Sequence, residues 1–597
     1  MTQKLSKLYA LTLSVFLISC GPVPEDVQEN LNASIATELL HQLFEDEWRH
    51  NMATNPLSAT YKGITDFDNK MPTVTPEFYT QQTAQDEHFL ARLQAIDPAN
   101  LTVEDELNYS LFEFIIKNRI EEAAFASYRI PMMSDSGFFN SFMRIHEAMP
   151  FKTSGDYDRY IARLMDVPRY FDENIANMEA GLADGFTMPS EIMGKIEPNI
   201  ASLIAEKPED TPLFEPFNHL PANFSDEERI RILNQGRKAI MAGVMPAMEK
   251  FHDFFTTQYM PNARQTLGIK DVPNGADYYK YLVRYYTTLD ITPEEVHELG
   301  LSEMARIKAA MEEIIAEVEF EGSFAEFLEF MRTDEQFYAT SAEELLKEAS
   351  WISKRIDGVL PGFFGKLPRM PYGVRDVPAE LAPNYTTGRY WGAPKGGNLG
   401  GFFVVNTYAL DKRPLYNLPA LALHEGVPGH HLQIALGEEL ENVPDFRLDL
   451  YPHAFGEGWG LYSEKLGEEM GIYRTPYERF GRLTYEMWRA GRLVVDTGMH
   501  YMGWTRAEAV NLFVENSALS THNINTEVDR YISWPGQALA YKMGELTIIR
   551  LREKAENVLE DKFDVRSFHD AVLANGGIPL NVLEDQIDAY IDREKQK

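Results

Sequence analysis

Three of the chain's 14 histidines fall together, in Leu423-His424-Glu425-Gly426-Val427-Pro428-Gly429-His430-His431-Leu432. A glutamate directly after the first histidine sets a base beside a metal ligand. On an ordinary helix a second histidine four residues on completes the pattern. One turn then brings both imidazoles to a single zinc ion, and the glutamate reaches the water next to it. Here that fourth position is Pro428, and the next histidine is His430. On a straight helix His424 and His430 would stand about 9 Å apart along the axis. Ligand nitrogens must come within about 2.1 Å of a zinc, so a straight helix cannot serve. Pro428 offers a way round this, because it has no N–H for the carbonyl of His424 and its ring pushes against that carbonyl. Gly426 and Gly429 relax the backbone nearby, and a bulge or kink can return a histidine to the metal. Absorbing two residues brings back His430, and absorbing three brings back His431. We take His424 and His430 as ligands, with His431 as the alternative second ligand, and Glu425 as the general base.

These groups need elements to hold them. Leu418–Leu423 reads as the apolar start of a helix. Gly401-Phe402-Phe403-Val404-Val405-Asn406-Thr407-Tyr408, after a Gly-rich run at 396–401, reads as a strand that could pair with a substrate backbone. Helical spacing of three and four runs through 35–54, 101–126, 225–258, 292–318, 340–357, 481–499 and 539–556. Thr292-Pro293-Glu294-Glu295 supplies a cap and an N1 proline, and Ser341-Ala342-Glu343-Glu344 has the form of a capping box. The Pro- and Gly-rich stretch 358–400 reads as a loop region. It divides a helical part, 35–360, from a part at 361–597 that carries the chemistry. The expected fold is mainly α, with a small β-sheet beside the active-site helix. A chain of 597 residues carries a soft prior of about three to four domains, and no internal repeat is evident.

The 424–431 motif, followed by Gly456-Glu457-Gly458-Trp459-Gly460-Leu461-Tyr462-Ser463-Glu464, resembles a bacterial lipoprotein family known as domain of unknown function 885. That family is similar to the helical zincin peptidases, such as the oligopeptidases and angiotensin-converting enzyme. The resemblance runs from about residue 35 to the C-terminus, with its specific motifs between 400 and 545. It implies a helical zincin-like fold enclosing a deep cleft. It implies Glu457 as the third zinc ligand, from a second helix. Glu464, two turns along the same face, matches a carboxylate that holds a ligating histidine. The stretch Tyr531-Ile532-Ser533-Trp534-Pro535-Gly536-Gln537-Ala538-Leu539-Ala540-Tyr541-Lys542-Met543-Gly544 matches the helix whose tyrosine donates to the oxyanion. Tyr541 is the candidate there and Tyr531 the runner-up. Arg492, Asp496 and His500, spaced by four, read either as an ion-pair ladder or as a buried network beneath the site. His297-Glu298 has no second histidine to follow and reads as helix surface.

Net charge is −35, which argues against nucleic acid and anionic headgroups as partners. Two readings of that charge stay open: solubility, or attraction of cationic substrates. Residues 1–19 read as a secretory signal peptide, with Lys4 and Lys7 ahead of the mostly apolar Leu8–Ile18. The single cysteine is Cys20, so no internal disulfide can form. Leu17-Ile18-Ser19-Cys20 resembles a lipobox, which implies that Cys20 is lipidated and begins the mature chain. Residues 20–34 then form a lipidated tether, and Gly21 in place of an Asp points to the outer membrane, facing the periplasm. No other segment approaches the roughly 18 apolar residues of a spanning helix. Together these features predict a Zn2+-dependent peptidase whose partners are peptides and, through the anchor alone, a membrane. Two rivals stand beside it: a non-catalytic metal-binding lipoprotein, and a hydrolase of a non-peptide amide or ester.

Overall fold

Hydroxyl side chains cap many of the helix starts. In a computed structural model that describes residues 25–379, 381–393 and 399–597, the helices that frame the site begin with α1, Glu25–Thr54. Residues 25–34 of the expected tether therefore belong to a helix. Cys20, the signal peptide and residues 396–398 of the Gly-rich run at 396–401 lie outside the described residues. Next come α2 (Pro76–Gln94), capped by Thr75, and α3 (Val103–Ala123), capped by Thr102. A Thr153–Asp156 capping box opens α4 (Ser154–Asp184). The stretch 225–258 forms Asp226–Ala239 and Met245–Phe254, with π-turns at Ile240–Val244 and Phe255–Tyr259. There follow α5 (Gly275–Thr287), α6 (Pro293–Glu317), with a Thr292–Glu295 capping box, and α7 (Ala342–Val359). At the start of α7 the box is only half made. Ser341 accepts from the Glu344 N–H, but the Glu344 carboxylate turns to the N–H of Thr340.

The sheet has strand order β1–β3–β2. Strand β1 (Tyr372–Asp376) runs parallel to β3 (Gly401–Val405), with Tyr372 opposite Gly401. Strand β2 (Gly388–Trp391) runs antiparallel to β3, with Gly388 opposite Val405. This corrects two expectations. The stretch 358–400 is not simply loop, since it contributes both edge strands. And β3 has a neighbour on each side, so its backbone is not free to pair with a substrate. Its Phe403, Val404 and Val405 are buried.

After the sheet come α8 (Leu418–Glu425), α9 (His430–Glu438) and α10 (His453–Glu469). Then follow α11 (Pro476–Thr497), α12 (Thr521–Ser533) and α13 (Ala540–Leu559). One apolar core runs from Ala36 to Ile591, so burial crosses the divide expected near residue 360. A second cluster packs Met304, Ile307 and Met311 of α6 on Leu483, Met487 and Val494 of α11. His297 lies in that interface and is not helix surface: it is buried, hydrogen-bonded to Thr497 Oγ1 at 2.8 Å, and edge-on to Trp504. A helix that packs along its neighbour for several turns buries one face, and His297 falls on it. Among the described residues no helix is long and apolar enough to cross a membrane.

Candidate metal centre

The backbone breaks after Glu425 rather than bulging within one helix. Gly426 and Gly429 take φ/ψ of −90°/−127° and −71°/−129°, around a cis Val427–Pro428 bond. The Gly429 N–H reaches back to the Leu423 carbonyl at 3.0 Å, and that of His431 reaches Gly426 at 3.1 Å. A Cβ on Gly429 would lie 2.0 Å from the His424 carbonyl oxygen, so only glycine fits there. Trp459 Nε1–H donates to the Pro428 carbonyl at 2.7 Å, tying the break to α10. The break brings the His424 and His430 rings to 4.7 Å between centroids, nearly perpendicular.

Helix α10 brings Glu457 to them. Its Oε2 lies 3.5 Å from His424 Nε2 and 3.4 Å from His430 Nε2. One donor atom from each of the three residues lies within 4.8 Å of the others. His424 Nδ1 is hydrogen-bonded to the buried carboxylate of Glu464 at 2.8 Å. A carboxylate at Nδ1 keeps a proton there, so the proton that a metal displaces is the one on Nε2, the nitrogen that faces Glu457 and His430. Burial pulls the His424 pKa down, but the carboxylates of Glu457 and Glu464 outweigh it and raise it to about 9. Burial also raises Glu457, and the two histidines overcome it, holding the carboxyl well below the usual range. The pocket therefore favours a positive charge among its groups. Two convergent imidazole nitrogens and a carboxylate oxygen, with one tautomer fixed, are a donor set that fits zinc with a coordination position left open.

His431 does not join them. Its Nδ1 is bonded to Tyr390 Oη and its Nε2 to the Met370 carbonyl, both at 3.0 Å. Burial lowers its pKa to about 4, so the ring is neutral with both nitrogens engaged. Of the two histidines left open by the sequence, His430 is the one brought to His424 and Glu457. Glu425 is buried at the end of α8, and its Oε2 accepts from the Tyr390 N–H at 2.8 Å. Strand β2 thus fixes the carboxylate beside the first histidine.

Tyr541, in the first turn of α13, lies nearly parallel to the His424 ring, 6.3 Å between centroids. The Arg492 guanidinium sits over the Tyr541 ring, 4.3 Å from its centroid. Burial, then the charge of Glu457, raises its pKa. Tyr531 is committed elsewhere: its hydroxyl accepts from Trp488 Nε1 and Arg492 Nε, both at 2.7 Å, and donates to Glu527. Arg492, Asp496 and His500 form no ladder among themselves. Arg492 pairs with Glu527 at 3.2 Å. Asp496 accepts from Tyr279 Oη at 2.6 Å and from the Gly536 N–H at 3.0 Å, and burial pushes its pKa to about 7. His500 is bonded to the Tyr531 carbonyl at 2.9 Å and accepts from the Ile269 N–H at 3.2 Å. The three clamp the segment that leads into α13.

Glycines let α10 and α13 close on each other. A Cβ on Gly544 would lie 1.8 Å from the Ala454 carbonyl oxygen, and one on Gly460 would lie 2.7 Å from His424 Cε1. Two residues near the centre escaped the sequence analysis. Tyr451 puts its hydroxyl against Gly456, the residue before Glu457. Its pKa is raised first by burial and then by Glu457, Tyr541 and Glu425. Arg389, next to Tyr390 on β2, has its pKa raised by the charges of Tyr385, Glu425 and Tyr541, which outweigh its burial. Neither residue belongs to a periodic or spaced pattern that could have marked it.

Fold and site together define a mainly helical protein, with a small sheet and a buried centre of two histidines and a glutamate on three helices. The chain belongs to the family described as "Bacterial protein of unknown function (DUF885)", whose model matches residues 56–587. No curated protein matches it. Among solved structures it is similar to a presumed lipoprotein from Colwellia psychrerythraea, at 26% identity and a TM-score of 0.86 over 94% of this chain and 100% of that one. It shares its fold with a presumed lipoprotein of unknown function from Shewanella oneidensis, at 15% identity and a TM-score of 0.72 over 92% of this chain and 99% of that one.

Proposed function

We propose that this protein is a zinc-dependent peptidase, lipid-anchored in a bacterial envelope membrane. The observation that carries this is the convergence of His424, His430 and Glu457 on one point, with the Glu425 carboxylate held beside it by Tyr390. His424, His430 and Glu457 would hold the metal, and Glu464 would keep His424 in its ligating tautomer. Bound zinc supplies Lewis acidity, which polarises a carbonyl and acidifies water. Glu425 takes the proton from the attacking water and passes it to the leaving amine. The Tyr390 N–H keeps that carboxylate aimed and lessens the cost of its burial. The Tyr541 hydroxyl donates to the oxygen of the attacked carbonyl as negative charge gathers on it. Tyr531 and His431 stay outside the chemistry, because their polar atoms are already engaged.

The anchor rests on Cys20 and the lipobox-like residues before it, and on the description of the Colwellia and Shewanella proteins as presumed lipoproteins. Gly21, standing where an Asp would favour the inner membrane, supports an outer-membrane anchor with the domain in the periplasm. The test is digestion of a mixed peptide library by purified protein, read by mass spectrometry with and without a chelator. Cleavage that the chelator abolishes supports the reading. Zinc bound without cleavage of any peptide would favour the non-catalytic metal-binding protein, and cleavage confined to non-peptide esters or amides would favour the other hydrolase.

A further inference from the structure

Two cavities meet at one carboxylate. The larger, about 680 Å³, lies between α2, α3, α5 and the segment after α12. The smaller, about 290 Å³, lies between α1, α3, α5 and the residues that lead into α10. Asn51, Arg119 and Glu122 line both. The cavities approach the candidate metal centre at His453, the first residue of α10 and one turn before Glu457. His453 lines the smaller cavity and packs edge-on against Tyr286 and Trp534 of the larger, at 5.3 and 5.8 Å between ring centroids.

Glu122 reaches solvent within this space, but it lies deep enough that burial raises its pKa above the usual carboxylate value, opposed by the Ser127 hydrogen bond. It accepts one hydrogen bond, from Ser127 Oγ at 3.0 Å, and among the described residues it forms no ion pair. Helix α5 presents aromatic rings to it. Tyr278 and Tyr281 stack at 6.3 Å, Tyr281 and Tyr285 at 5.8 Å, and Tyr285 meets Tyr286 edge-on at 5.1 Å. Burial and then the Glu122 charge raise the pKa of Tyr278, Tyr281 and Tyr285, and the same charge acts on Tyr286. The two arginines of the larger cavity's wall are engaged elsewhere: Arg119 pairs with Glu47 at 2.5 Å and with Asp86 at 3.7 Å, and Arg264 donates to the carbonyls of Thr187, Thr266 and Gly268. A carboxylate without an ion-pair partner, beside tyrosine rings that line the same cavities, has the composition of a site for an organic cation, which gains from both the charge and the ring quadrupoles. A surface glutamate of no consequence has no reason to sit where two cavities join.

We propose that Glu122, with the tyrosines of α5, binds the ammonium or guanidinium group of a peptide and so selects cationic substrates for the centre beyond His453. The identity of the occupant rests on the peptidase reading. The net charge of −35 acts in the same direction, since a strongly negative protein draws cationic ligands towards itself.

The source of the cation is either a lysine or arginine side chain or the free N-terminus, and the test separates them. Binding of a lysine-containing hexapeptide, its norleucine counterpart, and the N-acetylated form of each is measured by calorimetry. The proteins are the zinc-loaded Glu425→Gln protein, in which turnover cannot interfere, and the same protein with Glu122→Gln. The proposal expects cationic peptides to bind about tenfold more tightly than their neutral counterparts, and Glu122→Gln to erase that difference. Sensitivity to norleucine assigns the side chain, and sensitivity to acetylation assigns the N-terminus. Glu122→Gln is isosteric at an exposed position. Should it nonetheless lower the melting temperature, Tyr285→Leu tests the same site from α5 and is expected to weaken binding in the same sense. Equal affinity for all four peptides, no binding of any, or a charge preference that survives both substitutions overturns the proposal. Charge-selective binding without hydrolysis by the wild type would uphold this site and sink the peptidase reading. Hydrolysis without charge selection would do the reverse.

Discussion

His431 is bonded through one ring nitrogen to the Met370 carbonyl and through the other to the Tyr390 hydroxyl, which leaves no lone pair for a metal. His430 turns Nε2 to Glu457. Elemental analysis should therefore separate the neighbours: His430→Ala leaves well under one zinc per chain, and His431→Ala keeps one. Full zinc in His430→Ala would move the second ligand elsewhere. Tyr541 is tested by removing only its hydroxyl. A lost oxyanion donor costs roughly 100- to 1000-fold in turnover, so Tyr541→Phe should fall by that much with zinc content and melting temperature unchanged. Near-normal turnover would remove Tyr541 from the reaction. At this scale the sequence was most readable where spacing constrains chemistry, as in His424, Glu425 and the doublet His430-His431. The choice within the doublet depended on the direction of the chain after Pro428, which no spacing rule supplies. Glu122, Arg389 and Tyr451 are single residues brought in from distant segments, and they carry no local signal.

Helices α10 and α13 meet backbone to backbone at Gly458 and Gly544, where a Cβ on Gly458 would lie 2.4 Å from Gly544 Cα. Their separation fixes the distance from Glu457 on one helix to Tyr541 on the other. Gly544→Ala must push the helices apart, because the obstructing atom is the Ala454 carbonyl and cannot rotate away. Overpacking of this kind costs about 1–3 kcal/mol. The expected result is a lower midpoint in denaturant unfolding, with turnover reduced as well. An unchanged midpoint would show that the contact is loose. Helices with apolar faces and hydroxyl caps, such as α6 and α7, were legible because period and cap are local properties. Strand β3 was legible from its apolar run. Strands β1 and β2 were not, since they are short edge strands among prolines and glycines, without an alternating buried face. Pairing with β3 makes them strands.

Burial in this chain ignores the divide near residue 360: one core joins α1 to the C-terminal helix, and α6 from one side packs along α11 from the other. Such packing is non-local and leaves no mark on composition. The two cavities, framed by helices from both sides of that divide, follow from it. The anchor, by contrast, is a local property of the first twenty residues. Cys20→Ser is expected to shift the protein from the membrane to the soluble fraction, or to leave the precursor unprocessed, as read by fractionation and immunoblotting. A wild-type protein that is wholly soluble and keeps residues 1–19 would refute the lipobox. The proposed zinc, held by His424, His430 and Glu457, would work with Glu425 to hydrolyse peptides. The most direct test of that role is peptide hydrolysis by metal-stripped protein as zinc is added back. The rate is expected to rise in proportion to zinc and level off at one ion per chain, and a Glu425→Gln protein to take up the same zinc without gaining activity. Hydrolysis that proceeds without metal, or that stays absent with the site filled, would contradict that role.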